Sequence, residues 1–90
     1  MKPVKITKQF KKDVKRLKKQ GKNFKKLKTV IDTLSQDKNL ERKYQDHQLV
    51  GNYLNARECH LEPDGLLIYE ISEESIKLRR TGSHTQLFKR

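Results

Sequence analysis

Ninety residues make one small domain over 1–90, near the size at which a single core is only just large enough to stabilise itself, which leaves no room for a cofactor-binding domain beside a substrate domain. Twenty-two Lys+Arg against 11 Asp+Glu leave a formal net charge of +11 and a pI near 10.0, the balance of a protein that seeks polyanions. One cysteine, Cys59, excludes an intramolecular disulfide, no paired Cys/His spacing offers zinc, and no apolar run reaches the length of a signal or membrane-spanning segment; the expectation is a cytoplasmic protein without cofactor or metal.

In chain order, Pro3 to Thr7 alternates Val4 and Ile6 against Lys5 and predicts a short edge strand. Thr7 is a suitable N-cap for a helix whose apolar positions Phe10, Val14 and Leu17 recur at i, i+4 and i+7, ended by Gly21. Asn23 can cap a second helix with an apolar stripe of Phe24, Leu27, Val30, Ile31 and Leu34, so the two form an antiparallel hairpin. Residues 1–30 hold thirteen Lys/Arg and one acid, Asp13, which makes this third the electrostatic footprint, with Lys11, Lys15, Lys18 and Lys22 as its phosphate contacts. Its few apolar residues are needed for a core, which argues against a membrane-bound role.

From Lys38 to Asn55 periodicity stops, and the segment reads as a loop with at most short fragments of helix or strand. RECHL, LLIYEI and IKLRRT are three strand-like runs separated by the turn-rich EPDG and SEES, an antiparallel meander, and GSHTQLFKR closes the chain. The expected class is α+β: a basic helical hairpin packed on one face of a small antiparallel sheet, the other face left free. Alternation then puts Cys59 and Leu61 on the core face and Glu58 and His60 together on the open one, which makes Cys59 a small buried hydrophobe rather than a partner of His60. By the same alternation Arg79 and Arg80 fall on opposite faces. Asp64 sits in the Pro-Asp-Gly turn, where turn chemistry alone accounts for it, and His84 follows Gly82 at the end of the last strand.

Three blocks carry a resemblance: DH-x-L-x-G at Asp46 to Gly51, R-[DE]-x-H-x-x-PD-x-x-L-I-Y at Arg57 to Tyr69, and R-x-G-[ST]-H-x-x-L-F at Arg80 to Phe88. In this order and spacing the chain closely resembles the YafQ-type branch of the RelE/ParE superfamily, small messenger-RNA endonucleases of type II toxin–antitoxin systems. The resemblance implies a RelE-like fold and an active site of His47, Glu58, His60, Asp64, His84 and Phe88, with Arg80 facing the phosphate. It also implies mRNA as substrate, the ribosome as the place of cleavage, and an antitoxin as partner. Glu58 is one methylene longer than the Asp typical there, and Gly65 stands where relatives can carry an aromatic residue.

Those residue types suit RNA cleavage without metal, in which the 2′-hydroxyl loses a proton and attacks the adjacent phosphate while the 5′-oxygen gains one. A base, an acid and positive charge at the phosphoryl oxygens are required, and imidazoles titrating near neutrality serve as either acid or base. His84 and Asp64 are assigned to proton transfer, His60 and His47 to orienting or protonating the phosphate, and Arg80 to transition-state charge. Phe88 can stack an unpaired base or simply plug the core. The alternatives are a gyrase-binding ParE-like toxin, whose branch lacks the histidine constellation, and a basic structural RNA-binding protein.

Overall fold

The computed structural model describes residues 2–48, 56–62 and 65–88, with the backbone alone for His47, His84 and Phe88. A short strand β1 (Val4–Ile6) leads into α1 (Lys8–Lys19) and α2 (Lys25–Ser35). A 3-10 turn (Arg42–Tyr44) and a two-residue strand β2 (His47–Gln48) precede β3 (Arg57–Glu62), β4 (Gly65–Ile71), β5 (Ile76–Gly82) and a closing helix α3 (His84–Phe88).

Local chemistry sets the helical hairpin. The Thr7 hydroxyl accepts the Phe10 N–H at 3.0 Å, capping α1 as its residue type predicts. At the other end Gly21, at φ 74°, lets the Gly21 and Lys22 N–H groups return to the Lys18 and Leu17 carbonyls, both at 3.1 Å, the paired bonds of a Schellman ending. Asn23 Oδ1 accepts the Lys25 N–H at 2.8 Å, although Phe24 rather than Asn23 is the residue at the boundary of α2.

The sheet has five strands in the order β1-β5-β4-β3-β2. The predicted meander is its centre, but the sheet is not wholly antiparallel, because β1 pairs in parallel with β5 in the register Val4↔Ile76, Lys5↔Lys77, Ile6↔Leu78. Where β1 stops, α1 continues along the same edge: the Thr7 hydroxyl donates to the Arg79 carbonyl at 2.8 Å. The expected loop contributes the opposite edge, β2, antiparallel to β3 through His47↔Glu58 and Gln48↔Arg57.

Phe10, Leu27, Val30 and Leu34 of the helices meet Cys59, Leu67, Tyr69, Ile76 and Leu78 of the sheet to form the main core. The other face is not left free, contrary to the expectation. Leu87 of α3 packs on Leu66, Ile68 and Ala56, all buried, in a second small core that the polar tail sequence conceals. A bulge where Ile68 pairs with Arg80 but Tyr69 with Leu78 leaves Arg79 as an extra residue. Arg79 reaches Glu70 at 3.0 Å, so both arginines come off the face away from the hairpin, and strict alternation, which separated them, fails at this point.

Candidate active site

Register places the candidate residues. Across the α3 side of the sheet the pairings His47↔Glu58, Glu58↔Ile68 and Ile68↔Arg80 form one row, and the next row on that side runs His60↔Leu66↔Gly82. His47 and Arg80 therefore flank the row that holds Glu58, and the α3 backbone begins at His84, two residues beyond Gly82. Asp64 lies outside the described residues, as do the side chains of His47, His84 and Phe88.

Glu58 and His60, two apart on β3, share a face as alternation requires, and Glu58 Oε1 lies 3.0 Å from His60 Nε2. Glu58 is only 5% exposed, however, and does not stand in solvent as an open face would have it. At this distance the Glu58 carboxyl is placed to accept an N–H from the His60 ring, which orients the imidazole. A cleft of about 540 Å³ opens beside His60, walled by Lys26, Lys43, Tyr44 and Glu62.

Arg80 is held by a residue to which sequence reasoning gave no role. Its Nε and Nη2 each lie 3.1 Å from the two oxygens of Asp13, a bidentate pair, and Asp13 is completely buried at the edge of β5. Asp13 also accepts the Thr81 N–H, Gln9 Nε2 and Arg16 Nη1, each at 3.2 Å. Burial pushes the carboxyl up, but the hydrogen bonds from Arg80, Gln9 and Thr81 and the charge of Arg80 outweigh it and hold Asp13 below the usual carboxylate range. Its signal was legible: the lone acid of the basic third sits between Phe10 and Val14, on the inward stripe of its helix.

A second network anchors the segment bearing His47. Asp46 accepts Arg57 Nε at 3.1 Å and Nη2 at 3.2 Å together with the Tyr69 hydroxyl. Burial first, then the hydrogen bond and charge of Asp46, push the Tyr69 phenol upward, so it stays a donor. Asp46 thus ties the two-residue strand that follows it to β3 and β4 from the hairpin side. By contrast Lys11, Lys15, Lys18 and Lys22 are all exposed on the outer surface of the hairpin.

Among the described residues no group of three His, Cys, Asp or Glu side chains could hold a metal ion. No helix among them is long and apolar enough to cross a membrane.

Fold and site together define a class: a small basic α+β protein with a helical hairpin on one side of its sheet and a carboxylate–imidazole pair in register with an arginine on the other. The family described as bacterial toxin of type II toxin–antitoxin system, YafQ, matches residues 2–89. The mRNA interferase toxin YafQ of Escherichia coli K12 is 38% identical over 81 residues, covering 89% of this chain and 88% of that protein. A copper-bound mutant toxin from Helicobacter pylori superposes with a TM-score of 0.93 at 38% identity, covering 98% of this chain and 100% of the other. YafQ in the E. coli DinJ–YafQ toxin–antitoxin complex superposes at 0.90 with 35% identity, covering 97% of each chain. The chain belongs to the YafQ family of toxins.

Proposed function

We propose that this protein is an endoribonuclease that cleaves messenger RNA in the cytoplasm, on the ribosome, through attack of the substrate's own 2′-hydroxyl, and that a cognate antitoxin neutralises it. The observation that carries the reading is the Glu58–His60 pair, 3.0 Å apart, in register with His47 and Arg80 on the sheet face from which α3 departs. The related E. coli proteins, an mRNA interferase by name and a toxin bound to DinJ, support the substrate class and the kind of partner.

In this scheme His84 and Asp64 move the protons, one taking that of the 2′-hydroxyl and one supplying that of the departing 5′-oxygen. His60, oriented by Glu58, and His47 address the phosphoryl oxygens, and Arg80 answers the charge that develops on them. Phe88 stacks an unpaired base, while Lys11, Lys15, Lys18 and Lys22 grip the backbone. The attacking oxygen belongs to the RNA, so no metal-bound water is needed. The described residues offer no donor set for the copper that the H. pylori relative binds, and no step is routed through it.

The test is cleavage of a defined RNA in EDTA. Retained activity, with a 2′,3′-cyclic phosphate and a 5′-hydroxyl as ends, and its loss on a single 2′-deoxy substitution at the cut site, are the expected results. Dependence on a divalent ion, or a 5′-phosphate end, would replace the scheme with a metal–water one.

A further inference from the structure

Arg16 does more than neutralise Asp13. Its Nη1 lies 3.2 Å from the Asp13 carboxylate, while Nη2 reaches the Thr81 carbonyl at 3.5 Å and Gln86 Oε1 at 3.4 Å. That Gln86 oxygen also accepts the Ser83 N–H at 3.0 Å, and the Gln86 N–H returns to the Ser83 hydroxyl at 3.2 Å. Ser83 and Gln86 thus form a capping box around the first turn of α3, with His84 as its first residue. One guanidinium of α1 grips the box that launches the segment bearing His84.

Gly82 makes the grip possible. A Cβ there would stand 2.9 Å from Gln86 Oε1 and 3.0 Å from Arg16 Nη2, and its φ of 153° is one that L side chains rarely adopt. Asp13 meanwhile holds Arg80 in the row of Glu58. A buried carboxylate with two guanidinium partners is a costly way to stabilise a small fold, since apolar groups of similar volume often do as well. Its geometric effect is to set Arg80 and the start of α3 against the same fixed point.

We propose that Asp13 and Arg16 are positioning residues for RNA cleavage: α1 acts through them to fix Arg80 and the His84-bearing capping box in register with the Glu58–His60 pair. The proposal rests on the ribonuclease reading above. It assigns the hairpin a part in the chemical step, apart from the affinity supplied by its lysines.

The experiment compares wild type with Asp13→Asn, Arg16→Met and Arg16→Lys. The readouts are single-turnover cleavage at saturating enzyme and the Kd for the same RNA carrying a 2′-deoxy at the cut site. Asp13→Asn and Arg16→Met should lower the cleavage rate by roughly tenfold to a hundredfold, the scale of a misplacement near 1 Å. The Kd should stay within about twofold, and Arg16→Lys, which restores a donor, should recover part of the rate. Arg16 lies partly at the surface, so Arg16→Met, with its apolar stem kept, carries the test if Asp13→Asn does not fold. Folded Arg16→Met cleaving at the wild-type rate, or a loss confined to Kd, overturns the positioning role. Wild-type protein that cleaves no RNA overturns the functional reading beneath it.

Discussion

The Cys59 thiol shows how one position resolves between chemistry and packing. It is completely buried, and burial, with the negative charges of Asp46 and Glu58 adding to it, pushes the thiol up to about 12. The thiolate is therefore negligible near neutral pH, and native protein at pH 8 should resist iodoacetamide, reacting only once unfolded in guanidinium; modification of the native state at the rate of the unfolded chain would show the side chain to be accessible. Its neighbours have the opposite character. His60→Ala removes an imidazole that a buried carboxylate holds in place, and should lower single-turnover cleavage by roughly 10² to 10⁴ with the fold retained. Glu58→Gln keeps the shape but loses the carboxylate oxygen that lies against His60 Nε2, and should lower single-turnover cleavage by roughly tenfold or more through loss of that orientation. Cleavage at the wild-type rate would mean that Glu58 only fills space.

At the scale of elements, the hairpin divides its labour by face. Inward, Phe10 and Leu27 build the core and Asp13 meets Arg80; outward, Lys11, Lys15, Lys18 and Lys22 are exposed. Replacing those four lysines by Gln should leave stability nearly unchanged but weaken RNA binding. The log–log salt slope should flatten by about 0.7 to 0.9 for each phosphate that a lysine no longer neutralises. Binding titrations at two salt concentrations read this directly, and unaltered affinity at both would sink the electrostatic grip. The short helix α3 is held, among its described side chains, by the apolar Leu87. Leu87→Ala removes the Leu87 packing against Leu66, Ile68 and Ala56 and should cost about 2 to 5 kcal/mol, read as a lowered urea midpoint. If the midpoint does not move, α3 is not held by that packing.

For the whole molecule, the buried Asp13 couples folding to acid. Its folded-state pKa lies below the unfolded value of about 3.9, so the ionised form is the one that folding stabilises. That contribution is complete above the unfolded pKa and disappears as the pH falls through the folded one. Asp13→Asn should accordingly be less stable than wild type at pH 7, with the gap narrowing toward pH 3 and below. Urea unfolding across that range provides the check, and a constant gap would assign the loss to packing alone.

How much of this was legible in the sequence differs by element. Helices α1 and α2 and the three-strand meander follow from local rules: apolar spacing, a Thr cap, a Gly ending, and turn residues between alternating runs. The same rules put Glu58 with His60 and buried Cys59. Where periodicity is absent they are silent, as over the 3-10 turn and β2, whose two residues become a strand only because β3 offers an edge. The parallel pairing of β1 with β5, the bulge that brings Arg79 and Arg80 to one face, and the apolar lid of α3 each arise from a partner distant in the chain. The sequence by itself determined the basic character, the α+β class and the local faces, because charge and alternation need only near neighbours. Tertiary structure alone decided that the lone acid of the lysine-rich third would meet Arg80, 67 residues away, because a buried carboxylate finds its partners in space and not along the chain.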